Sequence, residues 1–345
     1  MPVRMKDIAR DLGVSVVTVS KVLRNVPEIG EETRRRVLKR MKELDYQPNQ
    51  AARSLATGRA FMMGLIVPDL VHPFFAQVAK GASRIFREQH YGLVISSSEQ
   101  DPDLEKEEIQ QMLGRLLDVL LIASAQWRVE SFRRIEAQQK HYILIDRRFE
   151  GLAANFVGTD DVMAGKIATE HLIENGYRRI AHLGGTDIST AMDRLRGYQQ
   201  ALADNRLPAP AEYIHRRAHS DDEGDAAGYE GMKALLDLNP RPDAVFCYND
   251  PMAMGAMEAA LDAGLRVPDD LAIVGCGNVK YARMLRVPLS SVDQDSEGLG
   301  EQAAGLALEL AKAKNALRPK TILLPPTLVV RESTVPAAAG KTIRH

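Results

Sequence analysis

The spacing of apolar positions changes near residue 61. Before it they recur three and four residues apart, the period of a helix face. Ile8, Ala9 and Leu12 share one such face, and Gly13 supplies the permissive backbone of a turn. Ser15 stands where a side-chain oxygen can accept from a free N–H and cap a second helix. Val19, Val22 and Leu23 form the inward stripe of that helix, which leaves Val16, Val17, Thr18, Ser20 and Lys21 at its start or on its outer side. A third helix is expected over residues 31–45, with Val37, Leu38, Met41 and Leu44 as its stripe. Glu31 and Glu32 open it, and Lys39, Arg40 and Lys42 lie toward its end, in the order the helix dipole favours. Pro48 stops it, and Asn49 caps a short helix over residues 50–57 that Gly58 closes. A helix of about eight residues does not hold alone in water. It is expected to form only against a partner, as a linker that folds on binding.

From residue 62 short apolar runs alternate with helical stretches of about 10–18 residues. The strand-like runs are 62–67, 93–97, 119–123, 142–145, 180–183, 244–247 and 271–274. This βαβ pattern predicts an α/β core of parallel sheets covered on both faces, and the length accommodates two of them. Ligands of open α/β sheets bind at the carboxyl ends of the strands, so two lobes can face one cleft. Residues 332–345 show no heptads and are expected to form a frayed tail. The resulting division is 1–46 headpiece, 47–60 hinge, 61–331 two-lobed core and 332–345 tail.

Composition narrows the class. The 345 residues are 45% hydrophobic and 26% charged, as in an ordinary globular protein. Neither a membrane-length apolar run nor an apolar signal core is present, which gives a cytoplasmic expectation and no membrane partner. Residues 1–60 hold 13 Lys/Arg against 7 Asp/Glu, a net of +6, and the remainder holds 32 against 39, a net of −7. A basic helical start on an acidic body predicts a nucleic-acid module joined to a sensor. Cys247 and Cys276 lie in apolar runs and read as packed free thiols, without the spacing of a metal site. Gly184-Gly185 alone is no dinucleotide fingerprint, and no phosphate loop occurs, so no cofactor is expected. His171, His182 and Asp293 lack a nucleophile elbow or metal spacing, so an enzyme is not expected. A sugar receptor without DNA binding is the other alternative, and the basic start argues against it.

A helix-turn-helix reads DNA with the start of its second helix in the major groove. The runs Lys6-Asp7-Ile8-Ala9, Gly13-Val14-Ser15, Thr18-Val19-Ser20-Lys21-Val22-Leu23, Pro48-Asn49 and Ala52-Arg53-Ser54-Leu55 carry a further signal. So do Leu144-Ile145-Asp146-Arg147, Arg194-Leu195-Arg196-Gly197-Tyr198 and Tyr248-Asn249-Asp250. Together they resemble the lactose/galactose-repressor (LacI/GalR-type) family of bacterial transcription regulators, over about residues 5–331. The resemblance implies a cytoplasmic, nucleoid-associated homodimer on a near-palindromic operator, with a small-molecule, carbohydrate-related effector between the lobes of a periplasmic-binding-protein-like core. It places Val16 and Val17 at base-reading positions, where apolar side chains select by contact with thymine methyls. Lys21 is placed against guanine or a phosphate, and Ser15, Thr18 and Ser20 against phosphates. Leu55 matches a minor-groove wedge, with Asn49 and Arg53 nearby. In the core it assigns Phe74 or Phe75, Ser124, Asp146, Asp160, Arg194, Asn249 and Gln294 to the effector. One position departs: many relatives carry an effector-contacting Asp where Gly275-Cys276-Gly277-Asn278 has Gly277. The effector is then bulkier, or acidic and held mainly by Arg194, or replaced by a protein partner.

Overall fold

The computed structural model describes residues 3–23, 26–46, 59–115, 117–126, 129–216, 224–313, 315 and 317–335. The chain divides into two compact units, Met1–Ala60 and Phe61–His345. The first holds α1 (Met5–Leu12), α2 (Val16–Leu23) and α3 (Glu31–Glu43). Its core is Ile8, Ala9, Val19, Val22, Val37 and Met41. Gly13 takes the left-handed conformation, φ 67°, that the turn between α1 and α2 needs. Two expectations shift. The third helix ends at Glu43 rather than at residue 45, and Leu38 faces solvent, because only the Val37 and Met41 side of α3 meets α1 and α2. The expected hinge helix over residues 50–57, with Asn49, Arg53 and Leu55, lies outside the described residues.

The second unit follows in chain order as β1 (Met62–Val67), α4 (Pro73–Glu88), β2 (Gly92–Ser97), α5 (Pro102–Gly114), β3 (Val119–Ile122), α6 (Glu130–Ala137), β4 (His141–Ile145) and β5 (Asn155–Thr159). Then come α7 (Asp161–Glu174), β6 (Ile180–Gly184), α8 (Ser189–Asp204), β7 (Ile214–Arg216), α9 (Gly224–Leu236), β8 (Ala244–Cys247), α10 (Asp250–Asp262), β9 (Ala272–Cys276) and β10 (Ser290–Asp293). Last are α11 (Ser296–Lys312), β11 (Thr321–Leu324) and β12 (Thr327–Val329). The two sheets run β11-β5-β4-β3-β1-β2 and β12-β10-β9-β8-β6-β7. Apart from the added edges β11 and β12, the two orders are the same, and each has its switch point beside its first strand. All pairings are parallel except β10 with β12. The parallel expectation therefore fails at one edge, where β12 returns antiparallel. β5, β7, β10, β11 and β12 escaped the sequence reading. Three to five residues long, and partly polar in Ser290-Ser291 and Thr327, they lack the continuous apolar run of a central strand.

Side-chain alternation puts a core on each face of each sheet. In β1, Met63, Leu65 and Val67 point to the core under α4 and α11, while Ile66 points to the core under α5 and α6. In the second lobe α9 and α10 cover one face, and α7 and α8 the other. Cys247 and Cys276 are free and buried in these cores. The expected tail starts late. Ser333 and Thr334 are buried, Ser333 Oγ donating to the Ile273 carbonyl and His171 Nε2 standing 2.7 Å from Thr334 Oγ1, so residues 332–335 belong to the lobe. Residues 336–345 lie outside the described set.

Helix pairs flank each lobe at unusually short range. A Cβ on Gly165 would collide with the carbonyl oxygen of Arg194, and one on Gly197 with that of Val162, so α7 and α8 touch backbone to backbone. The same reciprocal glycine contact joins α4 to α11 and α9 to α10. Close-packed backbone cannot give way as a side chain can, and inserting a methyl into it costs roughly 1–3 kcal/mol or more. Gly197→Ala should therefore lower the unfolding free energy of the core by that amount, read as a lower urea midpoint at unchanged m-value. A midpoint within experimental error of wild type would mean that α7 and α8 can separate freely.

Candidate nucleic-acid interface and effector cleft

In the first unit, Ser15 Oγ accepts the Thr18 backbone N–H at 3.0 Å, capping α2 as its position implied, and lies 2.8 Å from Thr18 Oγ1. Val19 and Val22 are buried, which turns the opposite side of α2 outward. Val16 is 43% and Val17 61% exposed. Neither of these adjacent apolar side chains belongs to the hydrophobic cluster of the unit. Ser20 and Thr18 are half-buried, and Lys21 Nζ stands 2.8 Å from Glu28.

In the core, loops at the carboxyl ends of both sheets line a cleft of about 1150 Å³. The first lobe contributes Asp69 after β1 and Asp146 and Arg147 after β4. The second contributes Thr186 after β6, Tyr248 and Asn249 after β8, Cys276 at the end of β9 and Gln294 after β10. The chain crosses between lobes three times, at 159–161, 293–296 and 324–327. Thr159 Oγ1 donates to the Gln294 carbonyl, which ties two of these crossings together. Beside the cleft the Arg148 side chain meets Asp193 at 2.6 Å, and the Arg148 N–H donates to Ser189 Oγ at 3.0 Å, joining the lobes directly.

Arg194 is the centre of the second lobe's wall. The residue sits inside α8 and is 3% exposed. Its Nε donates to Asp161 at 2.7 Å, its Nη1 donates to the Tyr248 carbonyl at 2.7 Å, and its carbon lies 4.8 Å from the Tyr248 ring centre. Burial lifts the Asp161 carboxyl to about 7 against the pull of Arg194. Across the cleft Asp146 adopts φ 62°, a strained conformation that Asp tolerates and that clusters at ligand sites. Its carboxylate is 3.9 Å from Arg147 Nε, and burial raises its pKa. Asn249 caps α10 through Oδ1, which leaves its amide NH₂ toward the cleft lining. Gln294 Nε2 is buried without a hydrogen-bond partner among the described residues.

Phe74 and Phe75 line the cleft but chiefly belong to the core, packed edge to face at 5.1 Å. Ser124 and Asp160 are engaged elsewhere. The Ser124 hydroxyl donates to the buried Glu105 carboxylate, and Asp160 caps α7 by accepting from the Met163 N–H. His171 lies in α7 and His182 inside β6, away from this lining. His72, Arg147, Tyr248 and Cys276 line the cleft without having been singled out. Each stands at a strand end or beside a helix cap, so applying the strand-end rule to every strand would have found them. Gly277 has φ 131°, a region that side-chain-bearing residues rarely adopt, so this loop does not simply lack an aspartate but takes a path that disfavours one.

Residues 4–49 match the bacterial regulatory proteins of the lacI family, and residues 169–334 match the periplasmic binding protein-like domain. The chain is 31% identical to the transcriptional repressor PurR of Mannheimia succiniciproducens, covering 95% of this chain and 98% of that one. It is 34% identical to the ribose operon repressor of Haemophilus influenzae over the same shares. The chain belongs to the lacI family of bacterial regulatory proteins. It is a DNA-binding transcriptional regulator with an effector-binding type of core. Among solved structures, the lac repressor dimer bound to operator and the anti-inducer ONPF superposes with a TM-score of 0.84 at 26% identity, over 97% of this chain and 100% of that one. Among the described residues of this lacI-family protein, no helix is long and apolar enough to cross a membrane.

His72 gives the cleft a pH-dependent element. Its Nδ1 accepts the Phe74 N–H at 3.3 Å, which caps α4 and requires a bare Nδ1. Burial, opposed by the Asp69 charge and reinforced by Arg147 and Arg194, lowers its pKa from 6.5 to about 4. The unfolded chain then binds the proton first, so this contribution to stability is present above pH 6.5 and lost as pH falls toward 4. His72→Asn keeps a capping oxygen without the titration. Between pH 7 and pH 4.5 it should lose less stability than wild type by roughly 2 kcal/mol in urea titrations. Parallel curves for the two proteins would remove His72 from the account.

Proposed function

We propose that this regulator binds a near-palindromic operator as a homodimer and that a small metabolite in the interlobe cleft changes the affinity. The exposed pair Val16 and Val17 at the capped start of α2 is the observation that carries the DNA half of this reading. Two valines cannot hydrogen-bond base edges, so they select by thymine methyl contact and by excluding other edges. Ser15, Thr18 and Ser20 position the helix on phosphates, and Lys21 reaches a base or phosphate acceptor. Asn49, Arg53 and Leu55 act in the hinge, Leu55 as the wedge at the operator centre. The lac repressor dimer solved on its operator supports the two-fold arrangement.

In the cleft, Arg194, Asn249, Gln294 and Asp146 hold the effector, with Phe74, Phe75 and Tyr248 as its apolar walls. The transcriptional regulator CelR, which has a similar fold, is solved in complex with cellobiose, which supports a carbohydrate-related ligand. The path of Gly277 argues against the family's usual acidic contact here, so the hydroxyl acceptors come from Asp146. Ligand binding shifts the lobe-joining contacts around Arg148 and, through the hinge, the pairing of the two headpieces. The protein acts in the cytoplasm, on the nucleoid, and turns over no substrate.

Selection of duplexes from a random pool by the full-length protein tests this. The expected product is a two-fold symmetric site bound by a dimer in sedimentation, and a monomer that prefers no symmetric duplex would overturn the reading. Val17→Ser should weaken the selected duplex by about 1–3 kcal/mol while leaving random duplex unchanged. Equal losses on both would mean that Val17 reads no base.

A further inference from the structure

Lys21 lies in the last turn of α2, on the side proposed to face DNA, and in the free protein it is already occupied. Its Nζ is 2.8 Å from a carboxylate oxygen of Glu28, in the turn that leads to α3. The Glu28 side chain is 72% exposed. The Lys21 hydrogen bond, and then its charge, hold that carboxyl below its usual range. Among the described residues Lys21 pairs with no other acid. Other basic groups of the unit are fixed differently: Arg40 joins Asp11 and Glu43, Arg36 donates to the Leu12 carbonyl, and Arg34 donates to the Val26 carbonyl. Lys21 and Glu28 are therefore the pair placed on the outer side of the recognition helix.

We propose that Glu28 is an intramolecular competitor for Lys21 and sets how tightly, and with what salt dependence, the headpiece grips DNA. This rests on the reading of α2 as the groove-facing helix. A carboxylate offers the same kind of acceptor to an ammonium group as a phosphate oxygen or guanine O6 and N7. Lys21 has three donors but a single positive charge, so whatever neutralisation Glu28 takes from it is not available to a phosphate. An exposed pair of this kind is weak and screened by salt, so a well-placed acceptor on DNA can take the lysine away. Doing so leaves an unpaired carboxylate beside a polyanion, which opposes the gain. On random duplex, where phosphates are not positioned for it, Lys21 stays with Glu28 and neutralises no phosphate. On the selected site it is released, and the affinity is set by the difference between the two acceptors. Glu28 thus keeps the recognition helix from adding its lysine to indiscriminate binding and holds operator affinity below its maximum, which lets a modest change elsewhere in the protein release the DNA.

The experiment is a double-mutant cycle on the full-length protein, using its selected duplex and a random duplex, with affinities measured across about 50–200 mM salt. Glu28→Gln is expected to bind both duplexes roughly 3–10-fold tighter at low salt. It should also steepen the random-duplex plot of log affinity against log salt by about 0.9, the share of one newly neutralised phosphate. In a Lys21→Ala background only the repulsion between the Glu28 carboxylate and DNA remains, so the same substitution should give a clearly smaller gain, about twofold or less. An equal gain with and without Lys21 would show simple repulsion of DNA by Glu28 and overturn the proposal, as would an unchanged salt slope. If Val17→Ser still weakens the selected duplex while Glu28→Gln does nothing, this inference alone falls. If neither Val17→Ser nor Lys21→Ala matters, the assignment of α2 to the groove falls with it.

Discussion

The backbone contact between α7 and α8 governs where the cleft chemistry stands. Gly165 lies one turn after Asp161, and Gly197 lies three residues after Arg194. Each glycine receives the other helix's carbonyl, so the two helices are locked in register and in depth. That lock sets the first residue of α7 against a residue in the middle of α8 and gives the 2.7 Å Asp161–Arg194 bond. A buried guanidinium is tolerable when it is paired and hydrogen-bonded, and strongly destabilising when its partner is removed. Arg194 meets that requirement with Asp161 of α7 and with the carbonyl and ring of Tyr248, after β8. The pairing holds the side chain rigid before any ligand arrives, which is the preorganisation a binding site needs.

The repeated strand order explains why the chemistry gathers in one place. Each sheet sends its strand ends toward the same cleft, so short loops after β1, β4, β6, β8 and β10 meet there without long excursions. The three crossings make the lobes two bodies joined at one edge. Polar contacts cross the opening: Arg148 with Asp193, and the Arg148 N–H with Ser189. Polar contacts of this kind exchange readily for water, whereas the apolar cores behind them do not. The unpartnered amide of Gln294 lies in a crossing segment, where a ligand that satisfies it also touches the joint between the lobes.

Much of this was legible in the residues, for identifiable reasons. The headpiece was clear because its signals are local: a turn glycine, a capping serine and a helical stripe agree over twenty residues. Central strands such as β1 and β8 were clear because burial on both faces makes them continuously apolar. The edges were not, since a short, half-solvated strand such as β7 or β12 carries little pattern. Motif position put Arg194 and Asn249 where the structure has them, in the cleft lining, but could not tell Ser124, tied to Glu105, from a residue open to the cleft. That difference is decided by a partner 19 residues away, on a helix whose Glu105 reads in sequence as one more surface acid. Leu38 misled for the converse reason, since its spacing on α3 is helical but the unit is too small to cover that side.

The headpiece and the cleft obey one rule with opposite signs. In the cleft, charged groups are paired and buried so that few of them remain to choose a ligand. On α2, apolar groups are left exposed at a cost that folding alone does not repay. Val16 and Val17 at a helix start are poor helix formers and keep about half of their surface in water in the free unit. A sequence that keeps two β-branched side chains there, beside a cap of small hydroxyls and a lysine already held by an acid, suits the proposed contact with a surface that supplies methyl groups and acceptors together. Duplex DNA offers both in its major groove, thymine C5-methyls next to purine N7 and O6, and a protein surface offers no such regular pairing.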